Sequence, residues 1–131
     1  MDQQINIQTK NEGQPIATLT DQTTGKQYVI PYRTDQKRLL VGRKKKQDVI
    51  PDIEIETDDT CMSGKQAYIW IEKNIIGEYS LFIQDTDTRT NKSLVNEIII
   101  DHTFKFQVYD KDVINLGETD FKVCFNPTIQ E

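Results

Sequence analysis

The 131-residue chain contains two cysteines and one histidine, at positions 61, 124 and 102. The cysteines form no CxxC pair and neither has the histidine nearby in sequence, so a zinc site is not expected. They read as two reduced thiols in a cytoplasmic protein. No apolar run approaches the ~18 residues that cross a bilayer, which leaves no membrane span to expect. The opening "MDQQINIQTKNEGQ" lacks a basic n-region and an apolar h-region, so no signal peptide is expected. Positive charge is in deficit, with 16 Lys and Arg against 21 Asp and Glu and a net charge of −5. That balance argues against non-specific nucleic-acid binding, which draws its affinity from a basic stripe. Catalytic pairings are missing too. Ser63 has no histidine near it, and Asp58-Asp59 lacks metal-ligand spacing, so no enzyme is expected. Helix-period segments of useful length, internal repeats and low-complexity tracts are all absent.

What the chain does have is period-two alternation. With 36% hydrophobic and 28% charged residues it reads as one globular domain. At this length folding buries about 65% of the surface of the extended chain. Residues 15–20 and 26–31 flank a polar turn ending in Gly25 and read as a hairpin. Further strands are expected at 38–42, 52–56, 79–85, 93–100, 103–109, 112–117 and 120–125. In residues 67–72, Ala67, Ile69 and Ile71 point one way, while Tyr68, Trp70 and Glu72, with Gln66 before them, point the other. Tyr68 and Trp70 are thus either an exposed contact surface or a second buried face. Short strands every 8–12 residues predict an antiparallel sandwich or barrel. Residues 1–14 and 127–131 are polar tails around a domain at 15–126.

Function is expected in the loops at one end of such a sandwich. Residues 43–51 open with Arg43-Lys44-Lys45-Lys46, residues 57–65 end in Ser63-Gly64-Lys65, and residues 86–92 include Thr90-Asn91. Arg43 sits at a strand end, which fixes its orientation and suits it to bidentate binding of phosphate or carboxylate. A salt bridge from Arg43 to an acid such as Asp58 is the competing reading. Ser63 offers a hydroxyl donor, and Gly64 a backbone N–H that can turn towards an anion. All three loops deliver donors.

The series "LLVGR" at 39–43, Ser63, "TNKSLVN" at 90–96 and "DVINLGETDFKV" at 112–123 resembles the forkhead-associated (FHA) domain, of a stand-alone bacterial type or cut from a longer protein. The resemblance runs from Ile16 to Phe125. It implies an all-β sandwich of about eleven short strands that binds phosphothreonine peptides made by a Ser/Thr kinase pathway. By position, Arg43 and Ser63 would hold the phosphate oxygens, helped by Gly64 and Lys65. Thr90 would add a hydroxyl bond, Asn91 would hold the peptide backbone, and Asn96 would brace the loop or touch the peptide. No cofactor is implied. The chain departs from the family at Gly64, where a side-chain contact is lost, and at Gln66, which stands where the family has histidine. Both Asn-Gly pairs have become Asn91-Lys92 and Asn96-Glu97, so remodelled turns are expected there. These departures carry the alternative, a degenerate scaffold that pairs proteins, or two copies of itself as a homodimer, without reading phosphate.

Overall fold

The computed structural model describes residues 14–44, 50–86 and 92–126. Eleven strands follow one another: β1 (Gln14–Asp21), β2 (Gln27–Tyr32), β3 (Leu39–Arg43), β4 (Ile53–Ile55), β5 (Ala67–Lys73), β6 (Tyr79–Asp85), β7 (Ser93–Val95), β8 (Ile98–Ile99), β9 (Phe106–Val108), β10 (Val113–Leu116) and β11 (Thr119–Phe125). They form two sheets, one in the order β2-β1-β11-β10-β7-β8 and one in the order β4-β3-β5-β6-β9. Alternation fills the space between the sheets, because each strand sends every second side chain inward. Ile16, Leu19, Ile30, Phe121 and Val123 of the first sheet meet Val41, Ile69, Leu81 and Ile83 of the second, all of them buried.

One pairing departs from the antiparallel expectation. β3 and β4 run parallel, with Val41 opposite Ile53 and Arg43 opposite Ile55. A parallel neighbour cannot follow through a tight two-residue turn, and residues 44–52 separate these two strands.

One strand expectation is corrected. Residues 93–100 are not one strand. They form a hairpin in which Val95 pairs with Ile98, around Asn96 and Glu97 at φ +49° and +72°. Two positive φ values in a two-residue loop match the strand twist, so the turn keeps its geometry although its glycine is gone. Glu97 bears the steric cost of that conformation. Glu97→Gly is expected to raise stability by about 0.5–1 kcal/mol, the relief of αL strain exceeding the added unfolded-state entropy. Urea unfolding of the two proteins checks it.

Of the two readings open for Trp70, burial is the one found. It lies on the outer face of its sheet yet is only 4% exposed. The Arg38 guanidinium sits 4.1 Å from its ring centre, Phe82 stacks at 6.0 Å, and its Nε1 donates to Glu72 at 3.0 Å. Cation–π contact and stacking cover an apolar ring that would otherwise face water. Trp70 is therefore packing; Tyr68 beside it is exposed.

Candidate functional site

The end of the sandwich where β3 stops is built on close backbone approach. A Cβ on Gly42 would lie 2.0 Å from the Gly64 carbonyl oxygen and 2.9 Å from that of Ser63. Only glycine allows the 63–64 segment to lie across the strand end. The Arg43 N–H then donates to the Ser63 carbonyl at 3.0 Å, and the Gln66 N–H to the Val41 carbonyl at 2.9 Å. Ser63 is thereby locked beside Arg43.

Met62 holds the segment from below. Its side chain is buried in the end of the core, while its carbonyl accepts Arg43 Nε at 3.2 Å. That bond restrains the plane of the guanidinium through Nε. No acid among the described residues forms an ion pair with Arg43, and Asp58 does not pair with it. Lys44 leans instead towards Glu56 at 3.7 Å, which also holds Lys26.

Asp59 ties the same loop to the β10–β11 turn. Its Oδ2 accepts the Glu118 N–H at 2.7 Å and the Thr119 hydroxyl at 2.6 Å. Its Oδ1 accepts the Cys61 N–H at 2.8 Å. Gly117, at φ +66°, makes room, since a Cβ there would come within 2.6 Å of the Met62 nitrogen. Partial burial raises the Asp59 pKa, but the donors around it outweigh that and hold it below the usual carboxylate range. A lowered native pKa means this stabilisation is complete above the unfolded-state value and is lost as pH falls through the native one. Asp59→Ala is expected to cost about 2–3 kcal/mol at pH 7, with a smaller penalty in acid, as stability curves at pH 7 and pH 3 would show.

The ligand atoms of Asp59, Cys61 and Glu118 also lie within 4.8 Å of one another. Asp59 already spends both oxygens on the turn. A hydrogen bond to Glu118, with burial behind it, pushes the Cys61 thiol up, away from the thiolate a metal needs. The cluster is a brace.

Ser63 carries the hydroxyl. Its Oγ accepts the Lys65 N–H at 3.1 Å, which leaves the hydroxyl proton to donate outward. Its backbone N–H donates to Gln66 Oε1 at 2.8 Å. Gln66 is fully buried, and its Nε2 donates to Ser93 Oγ at 3.0 Å. The substitution expected to weaken the loop therefore supports it, since an amide supplies both the acceptor and the donor the site requires. Gly64 is buried beneath the loop and Lys65 stands exposed at its rim.

Asn96 is exposed and acts as a brace: its Oδ1 accepts the Val113 N–H at 2.9 Å, and its own N–H donates to the Val113 carbonyl at 2.8 Å. Thr90, Asn91, Lys45 and Lys46 lie outside the described residues. The structure thus brings Arg43, Ser63, Gly64 and Lys65 together and sets Asn96 on the neighbouring hairpin. Met62, Asp59, Gly117 and Ser93, which position them, were not picked out as supports from the sequence. A glycine in "NLGET" facing an acidic turn was the available signal for the Asp59 brace.

A family model, FHA domain, matches residues 39–117. No curated protein matches the chain. Among solved structures, an FHA domain from a structural and functional analysis of phosphothreonine-dependent FHA domain interactions is 23% identical, at a TM-score of 0.64 over 86% of this chain and 98% of that one. The FHA domain of an Arabidopsis thaliana hypothetical protein is 27% identical, at 0.62 over 86% of each chain. The MEK1 FHA domain in complex with a HOP1 phosphothreonine peptide is 17% identical, at 0.65 over 86% of this chain and 98% of its own.

Proposed function

Because the chain belongs to the FHA domain family, we propose that it is a phosphothreonine-peptide-binding module and not an enzyme. One observation carries this reading: among the described residues, Arg43 is held through Nε by the Met62 carbonyl, next to a Ser63 hydroxyl with its proton left to donate, and no acid takes the guanidinium. A fixed guanidinium fork and an adjacent hydroxyl suit a phosphate, which offers several acceptor oxygens on one centre. Lys65, at the rim, adds charge. Thr90 and Asn91 complete the assignment by their positions in the sequence. The partner is a phosphothreonine-bearing protein downstream of a Ser/Thr kinase, met in the cytoplasm. Relatives studied with phosphothreonine ligands support the reading.

Calorimetry with matched peptides tests it. The phosphothreonine form is expected to bind at about micromolar Kd, near −8 kcal/mol. The unphosphorylated and phosphoserine forms are expected to bind much more weakly. Equal affinity for all three would reject the proposal.

The scaffold reading loses Trp70 as a contact residue but gains another surface. Ile98, Ile99, Phe104 and Tyr109 are 55%, 64%, 70% and 59% exposed, on β8, in the loop before β9 and just after β9. Exposed apolar groups at a sheet edge favour contact between proteins. A dimer in sedimentation that persists in Arg43→Ala and ignores phosphopeptide would favour this second reading.

A further inference from the structure

We propose that Asp85 is a positioning residue for the Ser63 loop, acting through Ser93 and Gln66 to fix which way the Ser63 amide is held. The consequence for peptide binding rests on the function proposed above; the consequence for the loop does not.

The chain of contacts is continuous and buried. Asp85, Ser93 and Gln66 are 3%, 0% and 0% exposed. Ser93 Oγ lies 3.0 Å from Asp85 Oδ1, Gln66 Nε2 3.0 Å from Ser93 Oγ, and the Ser63 N–H 2.8 Å from Gln66 Oε1. An ionised carboxylate only accepts hydrogen bonds, and a hydroxyl has a single proton. While Asp85 is charged, Ser93 must point that proton at it, in preference to the Gln66 backbone carbonyl 3.5 Å away. Ser93 then has only lone pairs for Gln66, so Gln66 must present its NH2 to Ser93 and its oxygen to Ser63. The charge thereby enforces from the Ser93 side the same amide orientation that the donor-only Ser63 N–H requires from the other, and so steadies the loop beside Arg43. Once Asp85 is neutral, Ser93 no longer enforces that orientation, and the Ser63 N–H alone holds the amide.

Asp85 is placed to change state within an accessible range. Burial raises its pKa above the usual aspartate value, opposed by the Ser93 hydroxyl, the Lys92 charge, the Thr86 N–H and His102. Its own N–H is engaged with the Asp101 carbonyl at 3.2 Å, and Thr86 Oγ1 donates to the Lys65 carbonyl at 2.6 Å. Both flanks of the relay are therefore anchored, and the adjustable part is the direction of its internal protons.

The test begins without ligand. In ¹⁵N-labelled protein the Ser63 backbone amide and the Gln66 side-chain NH2 resonances are followed from pH 7 to pH 3.5. Both are expected to shift together, with a midpoint above the ~3.9 of a free aspartate. In Asp85→Asn that transition should vanish. Ser93→Ala should uncouple Gln66 from Asp85 while leaving the Asp85 carboxyl to titrate. At pH 7, Asp85→Asn and Ser93→Ala are each expected to weaken phosphothreonine-peptide binding several-fold at unchanged peptide selectivity. A Ser63 amide that does not titrate with Asp85, or that is unmoved by Asp85→Asn, overturns the proposal. If the wild-type protein binds no phosphopeptide, the function proposed above is wrong, while the ligand-free titration still decides the relay. Should Asp85→Asn not fold, the wild-type titration and Ser93→Ala decide it.

Discussion

Arg43→Ala should abolish phosphopeptide binding in a protein that remains folded. The side chain is half-buried at the end of β3, so its removal exposes little core. Among the described residues its side chain gives up the bond from Nε to the Met62 carbonyl, at a stability cost of about 1 kcal/mol. Binding loses far more. A bidentate guanidinium–phosphate contact carries two charge-assisted bonds of ~1.5–3 kcal/mol each. Losing about 3 kcal/mol is more than a hundredfold in Kd and moves a micromolar ligand beyond ordinary detection. Arg43→Lys should recover only part of this, because an ammonium keeps the charge but not the planar fork. Calorimetry on the three proteins, with thermal melts alongside, separates binding from folding. A Kd unchanged in Arg43→Ala would remove Arg43 from the site.

Gly42→Ala should damage both stability and binding. The added methyl carbon would lie 2.0 Å from the Gly64 carbonyl oxygen and 2.4 Å from its carbon. Both are backbone atoms, so no side chain can rotate away and either the strand end or the loop must move. Overpacking of this kind costs about 1–3 kcal/mol, at times more. The loop is the softer partner, and it carries Ser63. Its displacement breaks the Arg43 N–H to Ser63 carbonyl bond and separates guanidinium from hydroxyl, so binding should fall at least as far as in Ser63→Ala. Gly25→Ala is the control: a Cβ there meets nothing within 4 Å, although its φ of +81° carries a modest strain of its own. Chemical unfolding and peptide titration of both variants would show whether crowding or backbone strain is responsible.

How far the fold could be read from the sequence depended on whether the signal was local. Alternation located the strands because side-chain direction repeats every two residues, whatever the partner. It did not reveal that β4 lies parallel to β3, since pairing direction depends on the path of the 44–52 segment. Nor did it reveal that 93–100 breaks into two strands. The break sits at Asn96-Glu97, where the usual glycine is replaced by a residue that adopts φ +72° all the same. Trp70 obeyed the alternation and still was buried, because Arg38 and Phe82 cover the outer face from distant segments.

The site was legible in its chemistry and obscure in its supports. Arg43 and Ser63 stood out as donors at loop mouths. Gln66 read as a loss, because a sequence does not show that Ser93 and the Ser63 N–H lie on either side of its amide. Gly64 read as a missing ligand contact; its carbonyl turned out to be the atom for which Gly42 makes room. Met62 read as core and is core, but its carbonyl orients the guanidinium.

The central claim is that a phosphothreonine docks between Arg43 and the Ser63–Lys65 segment. The most direct measurement is a ¹⁵N chemical-shift titration with a phosphothreonine peptide and its unphosphorylated twin. The account predicts that the phosphorylated peptide alone shifts the Arg43 side-chain Nε–H and the backbone amides of Ser63, Gly64 and Lys65. Shifts confined to β8, β9 and the loop between them, or identical with both peptides, would contradict it.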